Sequence, residues 1–394
     1  MTPGPSPRGL GGPHVLPAAI LLGTFAWSFV YVSLPFHIQQ MSSWEPAATL
    51  RWTGWILGIT PLVTVVTAPL WGRFAGRGDP KTYYVMVEVL QGIGFFGMVA
   101  ARTLPEMFLA RVILGFMGAA STFAFIIAGR SGDGAGVRRQ VAAIQSAMTI
   151  GQIIGPLAGA IAAARLGFRP SFALGALILF GCAALVHWGV PSSGPGPAGD
   201  ARSGATPWRE VLLVALLVLG GSTHVFFLTA ILPDVLPALG VEASRTLEIG
   251  GLVIFASGVA AALGSFAAPR LAELAPERRL IATLVVGSSL LVAALALVGS
   301  AWAYGTLRFF QVLLIAPMFP IVVARIAQSA GGEAIGVINS ARIGAAFLGP
   351  VLATSILSWA SPAALYVVLA LVGLACLPVA ALRAHVPAVR PLSR

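Results

Sequence analysis

The sequence predicts an all-α membrane protein: twelve transmembrane helices in two pseudo-symmetric six-helix bundles. Three observations carry that prediction. Only 9% of the 394 residues are charged and 57% are hydrophobic, against roughly 25% charged in soluble domains. The apolar runs are mostly about 20 to 25 residues, the length a helix needs to cross about 30 Å of hydrocarbon. The second half also repeats the first at an offset of about 197, so that Thr49, Leu50, Gly54, Thr60 and Gly72 face Thr246, Leu247, Gly251, Ser257 and Pro269.

The runs fall, in order, at about 15–38, 52–71, 82–101, 105–128, 140–164, 168–190, 209–232, 248–268, 280–303, 306–327, 335–359 and 362–382. A soluble core of this size would need polar helix faces, which are missing, and a transmembrane barrel would show short alternating segments. Residues 1–14, rich in Pro and Gly, read as a disordered tail rather than a removable signal, since no small-x-small site follows the first run. Residues 15–190 form the N-terminal bundle and 208–382 the C-terminal bundle. Between them, 191–207 (PSSGPGPAGDARSGATP) lacks the composition for a packed element and reads as a tether. Residues 383–394 are a C-terminal tail. Span one ends near Leu34-Pro35, which returns as Leu232-Pro233 in span seven. Its Phe25, Trp27, Phe29 and Tyr31 cannot share one side of a helix. Ser28 and Tyr31 do share a face and are candidates to touch an apolar substrate, with core packing as the alternative.

The net charge of +11 is distributed by topology. Sixteen of the 24 Lys and Arg lie on the side of the termini: Arg8, Arg73, Arg77, Lys81, Arg130, Arg138, Arg139, Arg202, Arg209, Arg270, Arg278, Arg279, Arg325, Arg383, Arg390 and Arg394. The other side carries Arg51, Arg102, Arg165, Arg169 and Arg245. This bias follows the positive-inside rule and predicts cytoplasmic termini in a cell membrane. It removes the need for a nucleic-acid partner. Cys182 and Cys376 lie inside apolar spans and read as small buried residues. The five histidines (His14, His37, His187, His224, His385) are scattered without metal spacing. Neither a metal, a cofactor nor a membrane-embedded enzyme is therefore expected.

Three motifs sit in matching helices. Span five contains Gly151-x-x-x-Gly155-Pro156-x-x-Gly159, glycines at i, i+4 and i+8 that let a neighbouring helix approach closely, with a proline that frees a carbonyl. Gly349-Pro350 repeats the Gly-Pro pair in span eleven. Span four carries Arg111-x-x-x-Gly115-x-x-x-Ala119, with Arg308 as the second-half equivalent. A buried arginine of this kind costs about 2.5–3.5 kcal/mol on the insertion scale and must find a partner or water. Trp71 to Lys81 follows span two, and Pro269 to Arg279, with Glu273, is its weaker copy.

These motifs resemble those of the major facilitator superfamily. The loop matches that family's signature at Gly72, Ala75, Arg77 and Lys81, with Arg73 beside them and Gly76 at the family's acidic position. The Gly-Pro pattern resembles the one seen chiefly in its exporters, especially drug:proton antiporters. The resemblance implies the twelve-helix superfamily fold. It also implies gating roles for Gly72, Arg73, Arg77, Lys81, Gly151, Gly155, Pro156, Gly159, Glu273, Gly349 and Pro350.

Gln145, Thr149 and Gln152 recur on one face of span five, about 90° from the glycine stripe at about 100° per residue. With Asn339, Arg342, Gln311, His224, Ser28, Tyr31 and Arg111 they are the candidate lining of a central substrate cavity. Each could instead be an interhelical hydrogen bond. Glu88 is the one carboxylate well inside a span, with Tyr84 and Gln91 on its face. It and Asp234 are candidate proton carriers; a structural role for Glu88 and simple solvation of Asp234 are the alternatives. Arg111 is a third coupling candidate, through its charge. The expected function is export of small hydrophobic compounds by a monomeric, proton-coupled antiporter. An importer or proton symporter of a small metabolite is the alternative.

Overall fold

The computed structural model describes residues 12, 14–130, 134–192, 208–329 and 332–377. The expected tails and most of the tether fall outside these residues, as do the side chains of Gly72 and Arg77 and the end of span twelve.

Eleven described helices are long and apolar enough to cross a membrane. We number the spans one to eleven: Val15–Met41, Pro46–Trp71, Pro80–Ala100, Leu104–Gly129, Arg139–Leu166, Phe168–Gly189, Trp208–Ala238, Thr246–Leu274, Glu277–Leu297, Ala301–Ala324 and Gly336–Leu357. Span twelve is described over Pro362–Ala375. Span six has 22 residues, which at the α-helical rise makes about 33 Å. Side chains such as Val66, Leu109, Leu177, Phe266, Phe310 and Leu371 are exposed, an apolar belt that fits lipid rather than water.

Local chemistry sets the helix starts. Asp79, Thr103, Ser300 and Ser361 each accept an amide of the first turn, satisfying donors that have no intrahelical partner. Ser300 corrects one expected boundary. Span nine does not run to 303; it stops at Leu297 and span ten begins at Ala301, because Gly299-Ser300 is a turn and cap rather than helix interior. The stretch after span two is likewise not a loop, since its helix continues to Arg77 and turns at Gly78–Asp79.

Among the described residues four spans are broken, and they pair across the duplication. Span one is two helices, Val15–Tyr31 and Ser33–Met41, and span seven breaks after Phe226 into a 3₁₀ turn, Leu228–Ile231, and a short helix, Leu232–Ala238. Pro35 and Pro233 lack the amide that would continue the ladder there. Span four divides into Leu104–Phe116 and Ala120–Gly129, and span ten into Ala301–Ile315 and Met318–Ser329 at Pro317.

Candidate functional site

Span five carries the geometry of the inter-bundle cleft. Its glycine stripe packs into span one of its own bundle: a Cβ at Gly155 would stand 2.8 Å from the Phe25 carbonyl, and one at Gly159 would fall inside that of Phe29. Another face, Ile153, Pro156, Leu157 and Ala160, meets Gly251 and Gly258 of span eight in the other bundle. Gln145, Thr149 and Gln152 occupy the arc between these two contacts, and all three are exposed. On the far arc the exposed residues are Ile150, Ile154 and Ile161. One helix thus exposes a polar strip and an apolar strip on different sides.

Span eleven repeats the design. Gly349 packs on the backbone of Phe226 and Phe227 in span seven, while Phe347, Pro350, Val351 and Thr354 meet Gly54 and Gly58 of span two across the cleft. In both Gly-Pro pairs the glycine faces its own bundle and the proline carbonyl faces the other: Pro156 O toward Gly251, Pro350 O toward Gly54. Nearer the start of the span Asn339 is exposed, and Arg342 is exposed with its guanidinium 4.8 Å above the Phe319 ring.

These contacts lie toward one end of the bundles, opposite the basic face. Two links between spans one and seven complete the closure. Tyr31 meets Thr229, and Gln39 Nε2 donates to Asp234 Oδ2 at 3.0 Å. The exposed strip of span five opens toward the basic face. Asp234 is therefore half of a closure contact, and Ser28 packs at Gly155 in the seam between spans one and five.

Arg111 and Arg308 are both buried and occupied. Arg111 Nε donates to Ile56 O at 3.2 Å and its Nη2 approaches Leu57 O at 3.5 Å. Pro61 has no amide to offer Leu57, so the guanidinium supplies the donor that the helix lacks. Arg308 donates to His224 O at 2.6 Å and Val225 O at 2.7 Å, where span seven breaks, and also to Gln311. Burial of each cation is offset by carbonyls freed in a broken or proline-bearing helix.

His224 and Gln311, expected at the cavity, lie wholly inside the C-terminal bundle. Their bonds have one direction. A carbonyl only accepts, so His224 Nε2, 2.7 Å from Leu369 O, carries the proton. Nδ1 then accepts from Ser288 Oγ at 3.2 Å, Ser288 accepts from Gln311 Nε2 at 2.7 Å, and Gln311 Oε1 accepts from Arg308. The N-terminal bundle has a related link between spans one and three. Trp27 Nε1 donates to Gln91 Oε1 at 2.7 Å, and Gln91 Nε2 donates to Met117 O at the break in span four. Trp27 and Gln91 stand 197 residues before His224 and Ser288. That offset was the available signal for a pair sequence reasoning missed.

Glu88 is buried inside the N-terminal bundle, against Gly23 of span one. Around the signature stretch, Arg73 is exposed, Lys81 is half-buried and Glu273 is exposed in the last turn of span eight. Asp79 caps span three and accepts from Ser192 beyond span six.

The family model described as Major Facilitator Superfamily matches residues 18–342. The chain belongs to the Major Facilitator Superfamily. Its members are membrane transporters, so this is a multi-pass membrane transporter. The transporter is 27% identical over 305 residues to the multidrug resistance protein MdtG of Salmonella choleraesuis (strain SC-B67), covering 72% of each chain. Its fold is similar to an inward-facing, occupied bacterial homolog of the human lysosomal transporter Spinster, with TM-score 0.72, 13% identity and 94% of each chain covered. It is similar also to a D-xylose-proton symporter, with TM-score 0.72, 15% identity, and 93% of this chain and 96% of that one covered.

Proposed function

We propose that the transporter exports small, largely apolar compounds in exchange for protons, by alternating access of the cleft between its bundles. The observation that carries this reading is the pairing of a closed end with an open polar strip. Glycine-mediated contacts between spans two and eleven and between five and eight close one face, while Gln145, Thr149, Gln152 and Asn339 stay exposed toward the other. By the positive-inside rule the open face is the cytoplasmic one. The cleft then collects its ligand from the cytoplasm in this state. The likeness to MdtG, named for multidrug resistance, supports outward transport of hydrophobic ligands.

Likeness to a proton symporter makes direction the quantity to measure. In proteoliposomes, a fluorescent hydrophobic dye should move uphill against an imposed proton gradient. Movement of dye in the same direction as protons would replace export by symport, and flux indifferent to the gradient would remove proton coupling.

A further inference from the structure

We infer that Glu88 is the proton-binding site of this transporter: a neutral carboxylic acid docked against Gly23, able to ionise only when the seam between spans one and three admits water. The inference rests on the proton-exchange reading above and deepens it.

Glu88 is 1% exposed, and its Oε2 has no hydrogen-bond partner. Among the described residues its surroundings offer a negative charge no cation. On its own helix, the buried Tyr84 hydroxyl lies beside it. One turn on, the Gln91 amide is committed to Trp27 and Met117. Span six contributes the Cys182 thiol. Span one contributes Gly23, where a Cβ would stand 3.1 Å from Oε1, so the carboxyl occupies the room that a missing side chain leaves. The nearest intramembrane cation on the neighbouring spans, Arg111, sits over Trp27 and is bound to carbonyls of span two. A carboxylate buried with no cation and a single hydroxyl beside it is costly to keep ionised, and such a group takes up a proton instead.

The duplication supplies an internal control. Gly23 and Glu88 correspond at offset 197 to Gly220 and Val285, and Cys182 corresponds at offset 194 to Cys376. The C-terminal bundle therefore repeats the glycine and the cysteine but places a buried valine at the third position. Packing there needs no acid. The carboxyl of Glu88 adds a chemistry that the shared architecture does not require.

Span one also connects this site to the cleft. It seats the glycine stripe of span five and carries Tyr31 and Gln39 of the closure. Displacement of span one opens the Gly23 seat. A water entering there accepts the proton: the O–H bond of Glu88 breaks, its electron pair stays on the carboxylate, and the proton leaves as hydronium. Closing the seam again requires a proton to return.

The test uses the full-length chain with Glu88→Gln, which keeps the shape of the neutral acid and cannot release a proton. Dye exchange without a gradient should persist, while uphill transport driven by a proton gradient should be lost. In infrared difference spectra, the wild type should show a protonated carboxylic C=O band at neutral pH that is absent from Glu88→Gln. Gly23→Ala, which crowds the seat, should shift the pH at which that band disappears. Gradient-driven transport by Glu88→Gln equal to the wild type would overturn the assignment and leave proton exchange standing. Absence of the carboxylic band from the wild type would overturn the assignment even if the Gln variant fails to fold. A wild type indifferent to the gradient would overturn the exchange reading and this inference with it.

Discussion

Gly54→Ala should move the resting conformation away from the state described here. Gly54 lies where span two meets span eleven across the cleft. An added Cβ would stand 2.9 Å from the Pro350 carbonyl and 3.1 Å from the Val351 Cα, and would fall inside the Thr354 hydroxyl. Two of those neighbours are backbone and cannot rotate away, so the closed end must part or strain. Overpacking of this kind costs about 1–3 kcal/mol. If the opposite state separates these helices, the cost falls on the closed state alone, and the population ratio shifts by about 5- to 150-fold. The assay is the rate at which an impermeant maleimide labels Gln145→Cys from the basic face, with Cys182 and Cys376 replaced by serine. Labelling should slow in Gly54→Ala. The control is Gly299→Ala, whose Cβ meets nothing within 4 Å. Unchanged labelling at Gln145→Cys in a folded Gly54→Ala protein would refute the reasoning.

Two further outcomes follow from the polar groups. Arg308→Ala leaves the His224 and Val225 carbonyls without their donor, and at about 1–3 kcal/mol for each unsatisfied group it should cost about 2–6 kcal/mol, read as a lower melting temperature in detergent. Gln152→Leu, on the exposed strip, should leave melting nearly unchanged while altering the apparent transport affinity about 2- to 10-fold, the worth of one hydrogen bond to a ligand.

The helices, their number and their duplication were legible because lipid imposes length and apolarity on every span. The glycine stripe was legible too, since i, i+4 and i+8 spacing fixes one face whatever it packs against. Its partner was not, for nothing in Gly151, Gly155 and Gly159 says that the neighbour is span one of the same bundle. Polar residues were harder. A helical face can turn toward the cleft or toward the interior of its own bundle, and both surroundings accept a glutamine. Gln145 and Gln152 are exposed, whereas Gln311 and His224 bond within the bundle. Arg111 carried the same ambiguity, resolved by Pro61 and the carbonyl it frees on another helix. The Gln39–Asp234 contact joins residues 195 positions apart, and no local pattern announces it.

The one-way row of bonds from Arg308 to Leu369 leaves no vacancy along it for an arriving proton. A Grotthuss hop through it would have to reverse each member in turn and strand a second cation, on His224, beside the arginine. That row is in effect an electrical insulator.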